Sequence, residues 1–87
     1  MTDGVVDLYV RAQRVVWRQG PDRVLVRQIG GEALDLLGMA AMLWVALDAP
    51  RTLTGLIDEL AEFVADMSGV ESTLHDLLER GLVVVAS

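Results

Sequence analysis

Paired carboxylates, one histidine, a glycine pair and a set of arginines are the residues of this chain that could do chemistry. Two carboxylates side by side can share acid and base roles, and Asp58-Glu59 and Glu59 with Glu62 have the spacing. They fall, however, on the polar side of the periodic run Leu53, Leu56, Ile57, Leu60, Phe63. Carboxylates on the solvated face of an amphipathic helix lack the burial that tunes a general acid. His75 stands alone, and the chain has no cysteine. Thiolate zinc sites, disulfides and cysteine nucleophiles are therefore excluded, and a single histidine does not make a histidine metal site. Gly30-Gly31 does not precede a helix opening with lysine, so it does not read as a phosphate loop. Trp17 and Trp44 fall on apolar faces, which reads as core rather than as a stacking platform. These patterns predict a protein that is not an enzyme and needs no metal or cofactor.

The arginines are unevenly placed. Up to Gly30 there are five, at positions 11, 14, 18, 23 and 27, against three aspartates; beyond it Arg51 and Arg80 face ten acidic residues. The whole carries a formal charge of −6. Binding to nucleic acid needs concentrated Lys and Arg, so the acidic half is a poor phosphate-binding surface. At 87 residues the chain makes one small domain. Its apolar share, 53%, fits either an exposed greasy groove or simply a domain rich in Ala, Val and Leu. The start, Met1-Thr-Asp-Gly, lacks the basic region and apolar run of a signal peptide. No apolar run approaches the roughly 18 residues of a membrane helix, so the expectation is a cytoplasmic protein.

Elements that would position these residues can be read in order. Residues 1–13 form an N-terminal arm, in which Val5 to Val10 could be an edge strand. Val15 and Trp17 alternate with Arg14 and Arg18, and Val24 and Val26 with Arg23 and Arg27. That period of two, broken by Gln19-Gly-Pro-Asp22, predicts a β-hairpin with one apolar and one arginine face. Ile29-Gly-Gly31 turns the chain back into a third strand, Glu32 to Leu36. Gly38 to Leu47 predicts a helix buried on most sides, stopped at Ala49-Pro50. Thr52 caps a second helix predicted over 53–65, with Phe63 inward. Ser68 and Glu71 have capping-box spacing and open a third helix, which Gly81 ends; Leu82 to Val85 is a last strand or a tail. The fold class is α+β: a three-stranded antiparallel sheet followed by three helices, a winged helix-turn-helix-like order over 14–87.

In this order the residues carry a resemblance. Val24-Leu-Val, Glu32-Ala-Leu-Asp-Leu, Ala40-Ala-Met-Leu-Trp44, Leu47-Asp48, Pro50-Arg-Thr-Leu53, Leu56-x-x-x-Leu60 and Leu77-Leu-Glu-Arg-Gly-Leu82 follow one another between Val15 and Val83. In this sequence and spacing the chain resembles the PqqD-like family, the recognition elements for ribosomally made, post-translationally modified precursor peptides. The resemblance implies a carrier that binds the leader of a precursor peptide and presents it to a modifying enzyme, often a radical SAM maturase. The leader would add as a further strand along Glu32, Ala33, Leu34, Asp35 and Leu36, in a cleft walled by Thr73, Leu77 and Arg80 of the third helix. Leu77 can equally be a core residue, and Arg80 a cation favoured by the helix terminus. The expectation is a monomer or weak homodimer with no membrane partner. A winged-helix DNA-binding regulator is the alternative, but its recognition helix, 69–80, would present Glu71, Asp76 and Glu79 against one arginine.

Overall fold

A computed structural model describes residues 7–66 and 68–86, and every structural statement below concerns those residues. Val5 and Val6 of the predicted leading strand lie outside them. The chain runs β1 (Tyr9–Arg11), β2 (Val15–Gln19), β3 (Arg23–Gln28), β4 (Ala33–Leu37), α1 (Met39–Ala46), α2 (Leu53–Leu60), α3 (Val70–Glu79) and β5 (Val83–Val85). It is α+β, with a three-stranded antiparallel sheet and three helices, as the patterning predicts.

The sheet is a meander of order β2-β3-β4, with Trp17 opposite Val26 and Val26 opposite Leu34. Directly opposed residues share a face. The inner face therefore carries Val15, Trp17, Val24, Val26, Leu34 and Leu36. The outer face carries Val16, Arg18, Arg23, Leu25, Arg27, Ala33, Asp35 and Leu37. Val24, Val26 and Leu36 are buried against Leu43, Trp44 and Leu47 of the α1 region, with Leu56, Leu60, Leu74 and Leu77 completing the core. The helices lie over one side of the sheet, and its outer face carries no element.

Gly38 turns the chain from β4 into α1 at φ 57°, ψ −127°, a backbone region costly for any residue with a Cβ. Gly81 ends α3 at φ 76°, a conformation that favours glycine; a Cβ there would also stand a tight 3.2 Å from Gln28 Nε2. Thr52 caps α2 as predicted, its Oγ1 accepting from Gly55 N–H at 3.0 Å. β1 pairs antiparallel with β5, and Tyr9 exchanges two backbone hydrogen bonds with Arg51. The predicted edge strand and the C-terminal strand thus pair with each other, and they bind the proline corner rather than the main sheet.

Four expectations are corrected. Trp17 is 40% exposed instead of core: it lies on the inner face, but on the marginal strand. Its ring meets Trp44 edge-on at 6.0 Å. The Arg11 guanidinium stacks over it at 4.5 Å. The second helix stops at Leu60; the Phe63 N–H bonds back to Leu60 O in a tighter i→i+3 turn, and Phe63 is 72% exposed. Ser68 forms no capping box, because Gly69 is the N-cap of α3 and the Ser68 N–H donates to Asp66 Oδ1 at 3.0 Å. That bond holds the exposed Asp66 carboxyl below its usual range. The first helix is not buried on most sides, since Val45 is exposed and Met39 to Met42 are half-buried.

Arg11 joins the two halves of the molecule. Its Nε and Nη2 donate to Trp44 O at 2.9 and 2.7 Å, meeting a carbonyl in the last turn of α1 where a cation is favoured. Burial lowers its pKa and nearby Asp48 acts the other way; the guanidinium stays charged throughout the working range. Arg11→Ala loses both charged bonds and the stacking, so urea denaturation should show a destabilisation of about 2 kcal/mol.

Candidate peptide-binding edge

The predicted site residues divide into two groups. Glu32 precedes β4, and Ala33, Leu34, Asp35 and Leu36 lie within it; the strand continues one residue further than predicted, to Leu37. Thr73, Leu77 and Arg80 follow one another along α3 and its C-cap. Leu77 is 1% exposed and belongs to the core, so its side chain offers nothing to a ligand. Thr73 is half-buried and opens on a shallow polar hollow with Ser72, His75, Asp76 and Glu79. Arg80 is exposed and paired with Asp76 at 3.1 Å, while its carbonyl accepts from Gln28 Nε2 at 3.1 Å. That bond ties the end of α3 to the end of β3. Otherwise α3 packs mainly on α1 and β5, so the strand rather than the helix is the defined half of the site.

Which backbone groups β4 offers follows from the hydrogen bonds of the hairpin. The Gly20 N–H donates to Arg23 O and the Ile29 N–H to Arg14 O. In an antiparallel ladder the bonding residues alternate, so Arg23, Leu25 and Arg27 turn their polar groups toward β2. Val24 and Val26 turn theirs toward β4, where they meet Leu36 and Leu34. The amides and carbonyls of Ala33, Asp35 and Leu37 therefore point away from the sheet, along an edge that no other strand covers. Beside them Leu34, on the inner face, is 38% exposed. A row of unpaired backbone groups beside a half-exposed leucine is what an added strand requires.

The far edge, along β2, is the other unpaired edge of the sheet. Arg11 arrives from β1 over Trp17, and the connection Ala12–Arg14 runs into the strand there. Asp35, projecting from the outer face of β4, is met by Arg23 Nη1 at 3.4 Å, an exposed pair worth little on its own. Neither Leu37 nor the alternation of the edge amides was singled out in the sequence; the signal was the register that the Gly20 turn imposes.

A further concavity lies elsewhere. A groove of about 490 Å³ opens between the β2–β3 turn, Ala41, Met42 and Val45 of α1, and Phe63 beyond α2. It contains none of the eight predicted residues, although Gly38 brings the end of β4 to its rim. No group of His, Cys, Asp or Glu side chains among the described residues could hold a metal ion. No described helix is long and apolar enough to cross a membrane. No family model, curated protein or solved structure matches this chain.

Proposed function

We propose that this chain is a non-catalytic peptide-binding module, winged helix-turn-helix-like in arrangement. It takes up the leader of a ribosomally made precursor as a strand along β4 and presents it to a modifying enzyme such as a radical SAM maturase. One observation carries the reading: the outward-pointing amides and carbonyls of Ala33, Asp35 and Leu37 beside half-exposed Leu34. Main-chain bonds supply the affinity, and the alternation of side chains fixes the register. The family resemblance of the sequence supports the same reading. The carrier acts in the cytoplasm as a monomer or weak dimer and needs no cofactor. Calorimetry with the leader of a precursor encoded beside this chain tests it: saturable one-to-one binding is expected. A folded protein that binds no neighbouring leader would remove the proposal.

Duplex DNA should not bind usefully at physiological salt. The exposed face of α3 carries Glu71, Asp76 and Glu79, and Arg80 is already paired. Fluorescence anisotropy with labelled duplexes checks this, and sub-micromolar, salt-sensitive binding would favour a regulator instead.

A further inference from the structure

The outer face of the sheet is basic on a protein that is acidic elsewhere. Arg18 and Arg27 are exposed and make no ion pair among the described residues, and Arg23 is shared between Asp22 and Asp35. With three arginines against Asp35 alone, the face keeps a positive surplus. The exposed acids of the helices lie elsewhere: Asp58 and Glu62 on and just after α2, and Glu71 and Glu79 on α3. Charge is thus segregated between the outer sheet face and the helical layer, and a strand docking at β4 lies along the boundary.

Resting on the peptide-binding reading, we infer that the strand taken up at β4 alternates apolar side chains on its inner side with carboxylates on its outer side. Register supplies the first half. Residues of the added strand on the level of Leu34 and Leu36 share their face, and Leu34 leaves apolar surface there to cover. The arginines supply the second. Arg27 stands opposite Ala33, so the small methyl of Ala33 alone separates its long side chain from the neighbouring position on the new strand. Arg23 stands opposite the larger Leu37, and its guanidinium lies beside Asp35, the one carboxylate of this face. Lysines on the outer side would meet the positive surplus of Arg18, Arg23 and Arg27. The recognised ligand class is an acidic, alternately apolar peptide.

Two short capped peptides of matched length test this, one alternating leucine with glutamate and the other leucine with lysine. Each is titrated into the intact protein and followed by anisotropy and by the amide resonances of residues 33–37. The glutamate peptide should bind roughly tenfold more tightly at low salt, an advantage that shrinks as salt rises. The preference should invert in the double variant Arg18→Glu, Arg27→Glu, which replaces exposed side chains outside the core. Equal binding of both peptides at β4, or an unchanged preference in the double variant, would overturn the inference while leaving strand addition intact. If neither peptide moved the β4 amides, strand addition and the inference would fail together.

Discussion

Trp44→Ala is expected to remove most of the stability of the domain. The indole, carried by α1, is 0% exposed within the core, and it meets both Trp17 and Arg11. Truncating a buried tryptophan to alanine costs about 3–5 kcal/mol, and a chain of this size has roughly 4–13 kcal/mol in all. Because Trp17 and Arg11 lose this contact at the same time, the cost should fall at the upper end. Trp44→Phe should be much milder. The Trp44 Nε1–H is buried without a hydrogen-bond partner, and deleting an unpaired donor offsets part of the lost volume. Urea denaturation followed by far-ultraviolet circular dichroism separates the two: a large drop in midpoint for alanine, a small one for phenylalanine. Equal, small losses would mean that the indole is not the centre of the packing.

Asp35→Pro should abolish peptide capture while leaving the fold in place. Proline removes one amide, and at Asp35 that amide points away from β3, toward the open edge. Its ring also occupies the line along which a strand would approach. The residue before it, Leu34, is already extended, as a residue preceding proline prefers. Loss of a main-chain bond together with this obstruction should weaken leader binding by roughly a hundredfold or more, read by calorimetry, with an unchanged dichroism spectrum. Leu34→Pro makes the contrast. The Leu34 amide bonds within the sheet, opposite Val26, so that substitution breaks the ladder and should unfold the protein. Asp35→Ala keeps the amide and should change binding little. If Asp35→Pro bound leader as well as the parent chain, backbone pairing at β4 would not be the source of affinity.

The sheet and its faces were legible because period-two alternation, a Gly-Pro turn and paired glycines all pointed to one meander. Val24 and Val26 are buried and Arg23 and Arg27 exposed, as that pattern demands. The Pro50 corner and the Thr52 cap were legible for the same reason: each is a local rule with its partner within a few residues. Trp17 and Phe63 were misread because periodicity names a face without saying whether another element covers it. Three strands do not bury the inner side of β2, and α2 ends before Phe63 can turn inward. The capping-box spacing at Ser68 failed to a competing local bond, since Asp66 captures the Ser68 N–H first. Arg11 was invisible because its partners, Trp44 O and the Trp17 ring, are brought to it by the pairing of β1 with β5. The strand half of the candidate site could be located from sequence. Which amides it exposes could not, because that depends on a ladder fixed two strands away.

The most direct test of strand addition at β4 is a titration of the isotope-labelled protein with a leader peptide, followed amide by amide. Strand addition predicts that the amides of Ala33, Asp35 and Leu37 move most and become protected from exchange, those of Leu34 and Leu36 being already bonded to β3. Shifts confined to the walls of the large groove, at Ala41, Met42 and Phe63, with β4 unmoved, would contradict it.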